Sequence, residues 1–444
     1  MCGIIAAASN RNVGELLVEG LHKMEYRGYD SAGLALHQEK NIAHLRTLGK
    51  VSLLEEKLKL ANPSSTLGIA HTRWATHGEP SEKNAHPHKS NERIYIVHNG
   101  IIENHLELKS FLVNQGYQLI SETDSEVIGH LLDYFLSQGS NILDAIYLTK
   151  EKLDGAYAIA ILDIEDDENI YIARSKAPLL IGKGDKENFA ASDPLAVGKL
   201  ANEFIFLEDG DVAVISKKTI QIYDEKKQPI QREATEIDPE HQTTSKGEYR
   251  HFMEKEIYEQ PQAILNTLDG RVGGDDVRDD IFGIGSSKLF RKVKRIQIVA
   301  CGTSLHAGRV AANWLSAIAG IPTQVDYASE YRYRNPHVDE DSLLVTISQS
   351  GETADTIAAL RYAKEKDYLS TITICNVPTS SLARESDFFL YTNAGPEVGV
   401  ASTKAFSTQL TGLMLLVLSL AKSRKMNPKL RGRVITALRK LPEK

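Results

Sequence analysis

The sequence predicts two successive folds: a layered α+β unit of packed sheets with helices outside, then an α/β unit on a parallel sheet. Three observations carry this reading. Residues 2–223 are rich in short strands separated by polar turns. Residues 224–250 (DEKKQPIQREATEIDPEHQTTSKGEYR) lose apolar periodicity and turn charged and proline-containing, the composition of a linker. From 251 to 425 short apolar strands alternate with helical stretches of ten or more residues, the rhythm of βαβ units and a parallel sheet.

In chain order, the first unit places strands at Leu67–Ala70, Arg93–Val97, Tyr157–Ile164, Asn169–Ala173, Phe204–Leu207 and Val212–Ile215. Amphipathic helices fall near Val13–Met24, Leu106–Asn114 and Asp124–Ser137. In the second unit Arg295–Ala300 (RIQIVA) is a buried strand, followed by Cys301-Gly302-Thr303-Ser304 and a helix through Trp314. Ser342–Ile347 is the next strand, with Ser348-Gln349-Ser350-Gly351-Glu352-Thr353 and a helix through Lys366 behind it. Thr371–Cys375 is a third strand and Thr403–Ala421 the last clear helix, and the basic residues 426–444 read as a solvated connecting helix.

Bulk composition excludes several classes. The 444 residues are 25% charged and 42% hydrophobic, as in a globular protein, and a net charge of −7 gives no reason to expect nucleic-acid binding. Cys2, Cys301 and Cys375 are scattered, with no CxxC, which favours a reducing cytoplasm over a disulfide framework. Cys301 and Cys375 end strands and read as core residues. No basic segment precedes an apolar stretch at the start, and the apolar run Leu413 to Leu420 is too short to cross a bilayer, so no membrane partner is expected.

Cys2 is the candidate nucleophile. Removal of Met1 makes one residue carry both a thiol and a free α-amine, with pKa values of about 8.5 and about 7.7–8.0, so the amine can serve as the thiol's base near neutral pH. Other polar clusters surround it in the sequence: Arg27-Gly28-Tyr29-Asp30, His71-Thr72-Arg73-Trp74-Ala75-Thr76-His77-Gly78, Asn99-Gly100 and Thr123-Asp124. Singly, each has an ordinary role, since Asn-Gly is a turn dipeptide, Thr-Asp a helix cap and Arg a surface charge. Together they match what a thiolate attacking an amide needs. Two donors hold the oxyanion, a guanidinium holds an α-carboxylate and a carboxylate holds an α-ammonium.

CGI at the start, YRGYDSAG, HTRWATHG, NAHPH, HNGIIEN and SETDSE, in this order, resemble the class II (N-terminal cysteine) glutamine amidotransferases. The resemblance implies an N-terminal-nucleophile (Ntn) hydrolase fold, a four-layer αββα sandwich. It also implies Cys2 as nucleophile, with Asn99 and Gly100 as oxyanion hole. Arg73 would bind the glutamine carboxylate and Asp124 its amino group, Thr76 and His77 would line the pocket, Arg27 would support it, and Trp74 would gate ammonia passage. In the second half, CGTS, SQSGETADT and VASTKAF resemble a sugar isomerase (SIS) domain, as found in the glucosamine-6-phosphate synthase family. By that resemblance Thr303, Ser348, Gln349, Ser350 and Thr353 hold a sugar phosphate, and Ser304, Val400, Ala401 and Ser402 border it. Two hydroxyl-rich turns between strand and helix suit a phosphate, although capping alone also favours Ser and Thr there. The implied substrates are glutamine and fructose 6-phosphate, with no metal or organic cofactor and a homodimer as the assembly.

The family carries a second SIS domain, which supplies the isomerising base, the ring-opening histidine and the lysine that meets the sugar carbonyl. The expectation is that the present residues support glutaminase chemistry and part of the sugar-phosphate site. His71, His77, His86, His88 and His98 raise a rival reading as a metal hydrolase, but their spacing matches no common zinc pattern. Two more rivals are a sugar-phosphate-binding regulator and a different class II amidotransferase. Neither an acidic pair before a phosphate loop nor an SGG-type loop is present to favour the second of these.

Overall fold

The computed structural model describes residues 2–25, 28–39, 41–236 and 246–443, and the chain divides into compact units Met1–Thr243 and Thr244–Lys444. In the first unit two antiparallel sheets are stacked. One has eight strands in the spatial order Ala234–Glu236, Glu203–Phe206, Leu180–Lys183, Asn188–Ala191, Gly3–Ala8, Leu67–Arg73, Ser31–Gln38 and Asn41–Leu48. The other has seven, in the order Pro229–Ile230, Ile220–Tyr223, Val212–Ser216, Asn169–Ser175, Gly155–Asp163, Ile94–Ile102 and His88–Ser90.

The opening strand shows why the layers form. Successive side chains of a strand face opposite sides. Ile4, Ala6 and Ala8 join Ile69, Val97, Ala160, Leu162 and Ile172 between the sheets. Ile5 and Ala7 instead join Leu17, Leu21, Leu54 and Leu58 beneath helices Gly14–Lys23 and Val51–Ala61. On the opposite side Ile94, Ile96 and Ile102 pack under helices His105–Asn114, Glu126–Ser137 and Ile142–Lys152, through Leu108, Leu112, Leu131 and Ala145. This is the αββα order expected of the first unit.

The predicted strands appear with shifted ends, Tyr157–Ile164 as Gly155–Asp163 and Arg93–Val97 as Ile94–Ile102. Strands Gly3–Ala8, Ser31–Gln38, Asn41–Leu48, Leu180–Lys183 and Asn188–Ala191, and helices Val51–Ala61 and Ile142–Lys152, are additional to the sequence reading. Residues 224–250, read as linker throughout, carry two short strands that complete sheet edges, Pro229–Ile230 and Ala234–Glu236, before residues 237–245 leave the described part.

The second unit holds a five-stranded parallel sheet in the order Thr323–Tyr327, Arg295–Ala300, Ser342–Ser348, Ser370–Cys375, Phe388–Tyr391. Chain order along the sheet is therefore 2-1-3-4-5, which reverses between Arg295–Ala300 and Ser342–Ser348. Such a switch point leaves a crevice at the carboxyl ends of the two strands. Helix Lys404–Ser423 has the length and mean hydropathy (1.4) of a membrane span, yet 72% of that stretch is buried within the unit. Leu413, Leu415, Leu416 and Leu420 pack there with Ile298, Ile347 and Ile374. The basic tail forms helix Pro428–Lys440, but it is not simply solvated. Ile435 is buried in the core, and Arg431 makes a two-pronged ion pair with Asp276 at 3.0 and 2.8 Å.

Candidate active site

In the first unit, strand ends bring the residues together. Gly3 pairs with Thr72 across the central strands, so Cys2 lies beside the chain leaving Arg73. The Trp74 backbone N–H donates to Cys2 Sγ at 3.3 Å, and the thiol lies 3.7 Å from the Trp74 carbonyl. Burial pushes the Cys2 thiol above its ordinary pKa, and the Trp74 N–H only partly offsets this.

Asn99 bridges the two sheets. Its Nδ2 donates to the Cys2 carbonyl at 3.4 Å, while His71 Nε2 lies 2.9 Å from its Oδ1. Burial lowers the His71 pKa to about 3. A neutral ring has one N–H, and donation through Nε2 orients the Asn99 amide with its NH₂ toward Cys2. Gly100 has φ +135°, and a Cβ there would lie 1.9 Å from the Ala156 carbonyl oxygen. Only glycine fits this position.

Arg73 is 4% exposed. Its guanidinium donates through one nitrogen to the carbonyls of His77 (2.5 Å) and Gly78 (3.1 Å), and its other terminal nitrogen, without a hydrogen bond among the described residues, lies 3.8 Å from Asp30. Asp124 does not cap helix Glu126–Ser137. Its carboxylate accepts the Ile102 N–H at 2.8 Å, tying it to the strand that carries Asn99 and Gly100, and the Ser125 hydroxyl at 3.3 Å. Thr76 Oγ1 lies 3.4 Å from His77 Nδ1, and Trp74 is 53% exposed. Arg27 lies outside the described residues.

Two residues named within the sequence motifs take roles that the sequence reading did not assign. Asp30 accepts the Ala75 N–H at 2.5 Å and the Ser31 hydroxyl at 2.9 Å, so it shapes the turn that presents Trp74 to the thiol. Its place in YRGYDSAG was the available signal. His71 stands in HTRWATHG and among the five histidines, with nothing in the sequence to mark Asn99 as its partner. Three of those histidines form a row of rings in contact. His71 stacks on His86 with ring centroids 4.2 Å apart, and His86 lies edge-on to His88 at 4.4 Å. His88 meets Thr123 at 3.0 Å and His98 meets Ser125 at 2.8 Å, while His77 packs on His105. Among the described residues no three His, Cys, Asp or Glu side chains are grouped to hold a metal ion.

This histidine layer sets a pH dependence. Burial lowers His71 and His88 to about 3, and His86 and His98 below the ordinary 6.5. The unfolded chain therefore binds protons that the folded unit refuses. The contribution of His71 and His88 is complete above pH about 6.5 and is lost as pH falls toward 3, at about 1.4 kcal/mol per pH unit for each, and His86 and His98 act in the same direction. Urea unfolding of the chain at pH 7.5 and 5.5 is expected to show a marked drop in the midpoint for the first unit. An unchanged midpoint would contradict a neutral buried layer.

In the second unit the two predicted turns flank the switch point. Thr303 and Ser304 occupy the first turn of helix Gly302–Trp314, directly after Arg295–Ala300. Ser348 ends the neighbouring strand, and Thr353 precedes helix Ala354–Lys364. Ser348 Oγ accepts the Gly351 N–H at 3.0 Å and lies 3.1 Å from Thr353 Oγ1, which winds the turn around its own hydroxyls. Ser350 Oγ accepts the Glu352 N–H at 3.2 Å. Gly351 has φ +69°, and a Cβ there would meet Ser380 Oγ at 2.0 Å. The Gln349 carbonyl accepts the Asn376 N–H at 3.2 Å, and Asn376 Nδ2 donates to the Gly395 carbonyl at 2.7 Å. Ser304 Oγ accepts from Gln409 at 3.0 Å. Val400 is 93% exposed and Ala401 exposed, and Ser402 donates to Glu397 at 3.0 Å.

Comparison with known proteins agrees with both halves. Residues 71–197 match the glutamine amidotransferase domain family, and residues 289–419 match the SIS domain family. The chain is 50% identical over its whole length to glutamine–fructose-6-phosphate aminotransferase [isomerizing] of Vibrio parahaemolyticus and covers 73% of that protein. It is 51% identical to the same enzyme of Photorhabdus laumondii, again over all of this chain and 73% of the relative. A solved C-terminal domain of glucosamine-fructose-6-phosphate aminotransferase from Francisella tularensis is 46% identical over 45% of this chain and 56% of that one, with a TM-score of 0.44. The chain belongs to the glutamine–fructose-6-phosphate aminotransferase (isomerizing) family.

Proposed function

We propose that the chain performs the glutamine half of a glutamine-dependent amination of fructose 6-phosphate, with Cys2 as nucleophile, and recognises the sugar phosphate at the switch point of its parallel sheet. The single observation that carries the first part is the Asn99 bridge, with one end on Cys2 and the other locked by His71. After loss of Met1, the Cys2 α-amine takes the thiol proton as sulfur attacks the glutamine γ-carboxamide. The oxyanion rests on Asn99 Nδ2–H and the Gly100 N–H. Collapse of the adduct returns the proton to the departing nitrogen, releasing ammonia and leaving a γ-glutamyl thioester. Water, deprotonated by the same amine, then hydrolyses the thioester to glutamate and the free thiol.

Arg73 and Asp124 anchor the α-carboxylate and α-ammonium of glutamine, Thr76 and His77 line the pocket with Arg27 in support, and Trp74 covers the ammonia exit. Thr303, Ser348, Gln349, Ser350 and Thr353 bind the phosphate and hydroxyls, bordered by Ser304, Val400, Ala401 and Ser402. The reversal of strand order between their two turns supports that assignment. The proposed domains are 2–223 for glutamine and 251–425 for sugar. Free cysteines at positions 2, 301 and 375 support a cytoplasmic enzyme, and the family resemblance supports a homodimer.

Arg73→Lys tests the glutamine anchor. A single ammonium cannot reproduce the fork that meets a carboxylate, so KM for glutamine should rise by about 10-fold or more with a smaller change in kcat. An unchanged KM would remove Arg73 from the pocket.

A further inference from the structure

The segment after strand Phe388–Tyr391 reaches the sugar side through Asn376, yet its exposed tip has no regular structure of its own. Buried carboxylates hold it instead. Glu397, 8% exposed, accepts the N–H groups of Thr403 (2.9 Å) and Ala405 (3.0 Å) through one oxygen and the Ser402 hydroxyl (3.0 Å) through the other. That closes the far end of the loop from inside. The near end is held from outside, by helix Phe252–Leu268. Glu256, only 2% exposed, accepts the Val398 N–H at 2.5 Å and the Gly399 N–H at 2.9 and 3.2 Å.

The fit around Glu256 is close. A Cβ on Gly399 would lie 2.5 Å from Glu256 Oε2, so a side chain there would push the carboxylate off the two amides. The same helix face continues the grip, since Glu259 accepts the buried Lys404 ammonium at 2.6 Å and Gln260 Oε1 accepts the Ser407 hydroxyl at 2.5 Å. Positions 256, 259 and 260 follow the i, i+3, i+4 spacing of one helix face. The backbone between the two carboxylates, Val400 and Ala401, stands out into solvent with its hinges fixed. Burying a carboxylate costs free energy unless it is well hydrogen-bonded, and burial does push the Glu256 carboxyl above its usual range despite the two amides.

We propose that Glu256 is a positioning residue for sugar-phosphate recognition: from the helix before the sheet it fixes Val398 and Gly399, and thereby presents Val400–Ser402 to the ligand. This rests on the sugar-site reading above, and the test separates the two. Amide hydrogen exchange and fructose 6-phosphate titration are measured on the wild-type chain, Glu256→Gln and Glu256→Asp, with glutamine hydrolysis as the control for folding. Glu256→Gln keeps the shape but replaces one acceptor oxygen with a donor. Exchange in the segment containing Val398 and Gly399 should accelerate by about 10-fold or more while the parallel strands stay protected, and the Kd for fructose 6-phosphate should weaken by about 10-fold.

Glutamine hydrolysis should not move, and Glu256→Asp should recover part of both losses. Should Glu256→Gln fail to fold, Gly399→Ala attacks the same contact from the loop side and should give the same two changes. Unchanged protection at 398–399 overturns the clamp. Faster exchange with unchanged sugar affinity overturns its role in recognition. Failure of the wild-type chain to bind fructose 6-phosphate overturns the sugar-site reading and the recognition role together, while the exchange data still decide whether Glu256 holds the loop.

Discussion

Cys2→Ala is expected to abolish glutamine hydrolysis, lowering kcat on the order of 10⁴-fold or more, as removal of a covalent nucleophile does. The effect should be confined to chemistry. Cys2 stands at the edge of the opening strand, with its thiol against the Trp74 backbone, so the variant should unfold at the wild-type midpoint and bind fructose 6-phosphate with unchanged affinity. In a burst experiment with the wild-type chain, the acyl group should appear on residue 2 by mass spectrometry. Residual hydrolysis near the wild-type rate would place the nucleophile elsewhere.

Gly100→Ala should be nearly as damaging, for a different reason. The added methyl meets backbone, not a side-chain tip that could rotate away: the Ala156 oxygen lies 1.9 Å from where Cβ would stand, and φ is +135°. Strand Ile94–Ile102 must therefore shift against Gly155–Asp163, and with it the Asn99 amide. Loss of one oxyanion donor alone costs about 10²–10³ in kcat, and strain of this kind costs on the order of 1–3 kcal/mol in stability. A drop in both kcat and unfolding free energy, with the second unit's unfolding unchanged, is the expected pattern. Normal kcat in a destabilised variant would show that Gly100 is needed only for the strand pairing.

Much of this was legible in the sequence, and the gaps have physical causes. The helix at Glu126–Ser137 and the strands at Ile94–Ile102 and Ser342–Ser348 carry enough Leu, Ile and Val to declare their period. GIIAAA, SAGLALHQ and NFAA do not, because Ala and Gly have weak strand preference. Their smallness answers a need visible only in three dimensions: a Cβ on Gly33 would lie 2.2 Å from the His86 carbonyl oxygen, and one on Gly3 would lie 2.8 Å from Thr72 Oγ1. The clustered motifs offered Cys2, Arg73, Asn99 and Asp124 as candidates for one site. They could not reveal that His71 pairs with Asn99, since a histidine's partner is chosen by which strand folds beside it. Glu256 was invisible for the same reason, lying on a helix far along the chain from the loop it holds.

The opening strand lies between Leu67–Arg73 and Asn188–Ala191, with Ile5 opposite Ala70 on one side and Ala191 on the other. The strand that follows Cys2 thus pairs with segments far along the chain, a long-range pairing that must pay its loop-closure entropy before any hydrogen bond forms. Until Asn188–Ala191 arrives, the thiol has no finished strand to hold it beside Asn99. The thiol's position is consequently secured only by strands distant in sequence, so the first unit must fold as a whole before Cys2 and Asn99 stand side by side.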